Sequence, residues 1–227
     1  MPAAVPAAVP AAVPPAVPAA GPAGRWTEAC AALAAADPAM AAAIAAHGPC
    51  RLERRRVPGG AFAALARAIV YQQLAGAAAS AIHARFAALY GGRPTPAAVA
   101  ATPDTVLRAA GLSANKAASI RDLADKALDG TVRLGGWARL GDDEIVERLE
   151  AVRGIGPWTA QMFLIFQLNR PDVWPTGDLG VRAGFARIQG LGGLPSPAAL
   201  AHGGDRYRPF RTVAAWYCWR AMDLRTP

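Results

Sequence analysis

Cysteine is scarce in this chain of 227 residues: Cys30, Cys50 and Cys218 are the whole complement. An odd count without a C-x-x-C spacing argues against a disulfide framework, a zinc ribbon and a four-cysteine iron–sulfur cluster, and fits a reducing cytoplasm. Histidine is equally rare, and His47, His83 and His202 form no recognisable acid/base or metal-ligand set. Lysine is limited to Lys116 and Lys126. Charge is missing altogether from the first 24 residues, MPAAVPAAVPAAVPPAVPAAGPAG. With no basic n-region and seven prolines interrupting any helix, this stretch reads as neither signal peptide nor membrane segment. It is expected to be a disordered, partly polyproline II tail without catalytic role. Strand-like alternation is also scarce, and no fixed-period repeat outside the tail suggests a helical solenoid.

What is present is basic charge and helix. Lys and Arg number 24 against 16 Asp and Glu, giving a net charge of +8 and a pI near 10.2, all of it on residues 25–227. A basic globular body points to a polyanion, with nucleic acid the first candidate. The 53% apolar content suffices for one or two closely associated domains with a core. Pro and Gly divide an alanine-rich chain into helix-length segments, which predicts an all-α body. Helices are expected near 26–46 (interrupted at Asp37-Pro38), 60–74, 76–90, 96–101, 103–110, 114–129, 142–152, 157–168, 179–189, 196–203 and 207–222.

The segment Asp142 to Leu168 carries the most information. Asp142, Asp143 and Glu144 suit a helix N-terminus, Ile145, Val146, Leu149 and Val152 make an apolar stripe, and Arg148 and Arg153 lie towards the C-terminal end. Gly154-Ile155-Gly156-Pro157 follows. Glycines two apart allow backbone angles closed to other residues, and Pro157 suits the first turn of a new helix. The apolar helix from Trp158 to Leu168 is expected to be buried, with Ile155 plugging the angle between the two helices. N–H groups around Gly154 and Gly156, with the following helix N-terminus, can face a phosphate oxygen and grip a nucleic-acid backbone without reading sequence. The other reading is a plain turn between packed helices.

Leu149-Glu150-Ala151-Val152-Arg153-Gly154-Ile155-Gly156-Pro157-Trp158-Thr159-Ala160, followed by Trp174-Pro175-Thr176-Gly177-Asp178, resembles the helix-hairpin-helix, loop and aspartate of the helix-hairpin-helix (HhH-GPD) DNA glycosylase superfamily. The alkylpurine branch (3-methyladenine DNA glycosylase II, AlkA-like) is the best match. It is carried further by Ile69-Val70-Tyr71-Gln72-Gln73-Leu74, by Gly111-Leu112-Ser113 with Lys116-Ala117, and by Tyr207-Arg208-Pro209-Phe210-Arg211 leading to Trp216 and Trp219. The resemblance spans roughly residues 60–222.

The resemblance implies two all-α lobes with the active site in the cleft between them: roughly 25–70 plus 175–227 as one, and 71–174, with the hairpin 153–157, as the other. It implies Asp178 as the catalytic carboxylate, although on local sequence Asp178 is equally an ordinary N-cap of the helix beginning at Leu179. The base pocket would be lined by Trp158 and Trp219, with Met162 in place of an aromatic wall. Gln73 would fill the gap left by a flipped nucleotide, or Leu74 if the register slips by one. Gly154, Ile155, Gly156 and Thr159 would meet the DNA backbone. Arg51, Arg54, Arg55, Arg56, Arg206, Arg208 and Arg211 are further phosphate candidates, ranked below the hairpin. No cofactor and no catalytic metal is implied, beyond a monovalent cation at the hairpin carbonyls.

Bifunctional members of the superfamily carry a nucleophilic lysine where this chain has Trp158, so a monofunctional enzyme without strand cleavage is expected. The expected activity is hydrolysis of the N-glycosidic bond of alkylated purines in damaged double-stranded DNA. It would be performed by a monomer in a bacterial cytoplasm, at the nucleoid, with no membrane involved. Two alternatives stay open: a non-catalytic helix-hairpin-helix module that binds distorted DNA, and a glycosylase for a deaminated or oxidised base.

Overall fold

A computed structural model describes residues 26–223, so the expected tail over residues 1–24 lies outside the described residues. The described residues form helices and no strand. In chain order these are α1 (Thr27–Ala36), α2 (Pro38–His47), α3 (Gly60–Tyr71), α4 (Gly76–Ala88), α5 (Pro96–Ala100), α6 (Asp104–Ala109), α7 (Ala114–Leu128), α8 (Asp142–Glu150), α9 (Pro157–Phe163), α10 (Leu179–Ile188), α11 (Pro197–Gly204) and α12 (Arg211–Asp223). A π-helical turn, Leu164–Leu168, continues α9. None of these helices is long and apolar enough to cross a membrane.

Local chemistry sets most of the boundaries. Asp37, Thr95, Ser113 and Ser196 each sit in extended conformation and accept a backbone N–H from two or three residues on. Proline follows at the first helical position in α2, α5 and α11, where its missing N–H leaves nothing unpaired. Helix α8 lacks a side-chain cap and instead carries Asp142, Asp143 and Glu144 in its first turn and Arg148 in its last, an arrangement that complements the helix dipole.

Three expected boundaries are corrected. The helix expected over 60–74 ends at Tyr71, because Gln72 leaves the helix at ψ 133 and Gln73 enters the left-handed region at φ 54. The helix expected from Tyr207 starts at Arg211, because Pro209 forces Arg208 to an extended ψ of 142. Regular α-helix over 157–168 stops at Phe163. In the π turn the Phe166 and Gln167 carbonyls accept from the Arg55 backbone N–H (2.7 Å) and the Arg54 guanidinium (2.6 Å).

Helices α1, α2, α10, α11 and α12 pack on one another, and α3 to α9 form a second set. Helix α3 packs on α4, α7 and α9, whereas the sequence placed residues up to 70 with the first set. Helix α12 is the spine of the first set: Val213 to Cys218 are buried all round. One apolar cluster runs through both sets.

Asp37 shows how polar groups are accommodated between these helices. Its carboxylate caps α2 through Ala39 N–H (2.9 Å) and accepts the Gln189 amide (2.6 Å) and the Tyr207 hydroxyl (2.5 Å). Asp37→Ala removes the cap and takes the acceptor away from the buried Tyr207 hydroxyl and the part-buried Gln189 amide. It is expected to cost about 2–4 kcal/mol in urea unfolding, with m unchanged.

Candidate active site

The loop between the π turn and α10 is tied to α12 before it reaches Asp178. Thr212 Oγ1 donates to the Arg170 carbonyl (2.7 Å) and accepts from Val173 N–H (2.9 Å), while the Arg211 guanidinium grips the Asp172 carboxylate at 2.7 Å. Asp178 then caps α10. Its Oδ1 accepts from Val181 N–H (2.8 Å) and from the Trp219 indole (3.0 Å), and its Oδ2 accepts from the Trp158 indole at 2.6 Å. The side chain is only 6% exposed. The N-cap reading of Asp178 therefore holds, and the same carboxylate also accepts from two indoles.

Three elements deliver the donors. Trp219 comes from α12, and its reach depends on a close crossing of α12 with α10 at Gly184. A Cβ on Gly184 would lie 1.9 Å from the Cys218 carbonyl oxygen, so only glycine allows the two helices this approach. Trp158 comes from the first turn of α9, directly after the hairpin. Its ring is 37% exposed, whereas Trp219 is 8% exposed and Met162, one turn after Trp158, is 9% exposed. Phe166 stacks on Trp219 (5.8 Å between centroids, 26° between planes), and the Arg55 guanidinium lies 5.5 Å from the centre of the Phe166 ring. Phe166 was not anticipated: its wall position depends on the π turn, which helical periodicity does not foresee.

The hairpin itself is tight. Gly154 sits at φ +77, where a Cβ would also strike Ser119 Oγ at 2.7 Å, and Ile155 is buried. Asp122 of α7 accepts the Arg153 backbone N–H at 2.7 Å and so anchors the turn. Of the four residues expected at a DNA backbone, Thr159 turns its hydroxyl inward: it is 5% exposed and meets the Gln72 amide at 3.2 Å. Any contact it makes outward is through its backbone. In the first α9 turn the Ala160 N–H already donates to the Gly156 carbonyl, and the N–H groups of Trp158 and Thr159, which precede that first intrahelical bond, are the ones that can face an anion.

The turn between α3 and α4 is bound to this hairpin. The Gln72 side-chain amide donates to the Gly154 carbonyl at 2.9 Å. Lys116, from α7, donates to the carbonyls of Val70 and Gln72 (the latter at 2.7 Å) and closes the C-terminus of α3; burial pushes the Lys116 ammonium pKa down. Gln73 stands exposed at the tip in left-handed conformation, and Leu74 is half-buried. Nothing in the residues neighbouring Gln72 and Lys116 signals these structural roles, since their partners lie 82 and 46 residues away.

Several arginines proposed for phosphate contact are engaged within the protein. Arg208 and Arg211 both pair with Asp172 (2.9 and 2.7 Å), and Arg206 lies 3.9 Å from Asp37 and over the Tyr207 ring. These three brace the base of α12, because the turn before it buries Asp37 and half-buries Asp172. Arg54 holds the π turn. Arg51 and Arg56 remain exposed.

Comparison with known proteins places this geometry. A model of the HhH-GPD superfamily base excision DNA repair proteins matches residues 66–205, a span that includes the Gln72–Gln73 turn, the hairpin and Asp178. DNA-3-methyladenine glycosylase 1 of Schizosaccharomyces pombe is 39% identical over 163 residues, 70% of this chain and 72% of that one. Among solved structures, the S. pombe 3-methyladenine DNA glycosylase in complex with abasic DNA superposes with a TM-score of 0.79 at 35% identity, covering 88% of this chain and 98% of the other. A DNA-3-methyladenine glycosidase from Bacillus halodurans gives 0.79 at 32% identity over 86% and 89%. A carboxylate that caps its helix and meets two indoles, one of them from the first turn after a glycine hairpin, thus sits on a shared all-helical frame, and the chain belongs to the HhH-GPD superfamily of base excision DNA repair proteins.

Proposed function

We infer that the protein is a monofunctional DNA glycosylase of the 3-methyladenine type, hydrolysing the N-glycosidic bond of alkylated purines in the first step of base excision repair. The observation that carries this reading is the Asp178 carboxylate, buried among indole and backbone N–H donors beside the glycine hairpin. The relatives named above support the substrate class, since two of them are 3-methyladenine glycosylases by name and one was solved with abasic DNA.

The chemistry follows from the charge on the substrate. An N-alkylated purine nucleoside is cationic, so when the C1′–N bond breaks its electron pair leaves with the base, which departs neutral. The positive charge moves to the deoxyribose, where a fixed carboxylate stabilises it electrostatically. Water adds its oxygen to C1′ and releases its proton to Asp178 or to solvent. Little acid assistance to the leaving group is needed, in keeping with a chain whose histidines form no acid/base set. The base must first leave the stack. The aromatic faces of Trp158, Trp219 and Phe166 suit a cationic ring, and Gln73 at its exposed tip is the proposed filler of the gap.

Neither lysine is free to act as a nucleophile: Lys116 is bound to two backbone carbonyls and Lys126 pairs with Asp122 at 2.6 Å. Incubation of a methylated duplex with the protein is therefore expected to release free base while the strand stays intact until alkali or heat is applied. Strand breaks before that treatment would overturn the monofunctional reading, and absence of free base would overturn the glycosylase reading.

A further inference from the structure

The two oxygens of Asp178 are unequally engaged. Oδ1 accepts from Val181 N–H and from the Trp219 indole, both buried contacts that turn it towards α10 and α12. Oδ2 has a single partner, the Trp158 indole, at 2.6 Å, shorter than either hydrogen bond to Oδ1. Oδ1 alone would act as a pivot about which the carboxylate could tilt. The Trp158 contact removes that freedom, and it comes from a rigid base: Pro157 precedes it, Ile155 is buried beneath the turn, and Gly154 is held by Gln72. Trp158 also has the most exposed ring at the site, with one edge on Oδ2 and more than a third of its surface open.

We propose that Trp158 is a positioning residue for base excision, its indole N–H fixing Asp178 Oδ2 so that the remaining lone pair of that oxygen faces the deoxyribose. This rests on Asp178 being the catalytic carboxylate, and it goes beyond the pocket-wall role that the family resemblance implies for Trp158. A wall needs only the face of the ring; positioning needs the N–H. The consequence for rate follows from geometry, because a shift of about 1 Å in a catalytic group can slow a reaction on the order of a hundredfold.

The test separates N–H from ring. Trp158→Phe keeps an aromatic face and loses the donor, and a benzothienyl analogue of tryptophan at 158 keeps the full shape as well. Single-turnover excision from a methylated duplex is expected to fall about tenfold or more in both, the scale of one lost hydrogen bond to a charged group. Affinity for an abasic duplex should stay within about twofold. In an Asp178→Asn background the loss of the Trp158 N–H should add nothing, because the coupling runs through that carboxylate. The Trp158 indole 15N–1H resonance should also shift markedly in Asp178→Ala. Wild-type excision rates in both 158 variants, or a loss confined to affinity, would overturn the proposal and leave Trp158 a pocket wall. Undiminished excision by Asp178→Asn would instead sink the reading of Asp178 on which this rests.

Discussion

Asp178→Asn is expected to lower single-turnover release of free base by a factor on the order of 10²–10³ or more, while the protein stays folded and still binds damaged duplex. The first half follows from charge. Removing one preorganised group that meets charge developing in the transition state raises the barrier by about 3–4 kcal/mol. The second half follows from the cap: asparagine serves at an N-cap nearly as well as aspartate, so the Val181 N–H keeps its acceptor. The one remaining oxygen keeps Val181 and Trp219, while the amide nitrogen faces the Trp158 indole N–H, a local cost of about 1–3 kcal/mol that is short of unfolding the chain. Free-base release and an electrophoretic shift on the same duplex read the two halves separately. A non-catalytic binder of distorted DNA would show no difference between the wild type and this variant in either.

Gly184→Ala should have the largest effect on stability of any single methyl group added to the protein. The new Cβ would lie 1.9, 2.4 and 2.6 Å from the carbonyl oxygen, carbonyl carbon and Cα of Cys218. Those atoms belong to the backbone of Cys218, in the buried stretch of α12, and cannot rotate aside, so α10 and α12 must move apart at their crossing. A loss of about 3 kcal/mol or more is expected, with a fall in Tm of roughly 6–12 °C for a domain of this size. Excision should also fall by about tenfold or more at temperatures where the variant is folded, because the same separation draws Trp219 off Asp178. Gly192→Ala is the control: nothing lies within 4 Å of its added Cβ, and its Tm should match the wild type. A Gly184 variant as stable as this control would mean that the helix crossing is not what sets the site.

Asp178 and Thr212 show where reading the chain residue by residue succeeds and where it stops. Asp178 precedes a helix in a Gly/Pro-rich loop, so its capping role was legible from neighbours within three residues, whereas its candidacy as a catalytic carboxylate came from the family resemblance. Thr212 was given no part, yet its hydroxyl ties the loop that carries Asp178 to α12 across 39 residues. Phe166 was taken as one more apolar residue of a buried helix. It stacks on Trp219 from the π turn, where the Arg54 guanidinium and the Arg55 backbone N–H hold the Gln167 and Phe166 carbonyls. Arg208 and Arg211, counted as basic surface, are the braces of Asp172; charge in a sequence does not reveal whether its partner lies inside the same molecule.

By itself the chain determined what depends on short-range chemistry. The helical class, the break at Asp37-Pro38, the glycine hairpin closed by Pro157, the basic balance and the capping aspartate all arise from interactions within a turn or two of each residue. Only the tertiary structure decided which groups meet. It set the approach of α10 and α12 at Gly184, the closing of Trp158 and Trp219 on one carboxylate 20 and 41 residues distant, and the hold of Lys116 and Gln72 on the turn beside the hairpin. Those contacts are selected by packing between helices remote in sequence, where burial and the satisfaction of polar groups rule and local propensity has no say.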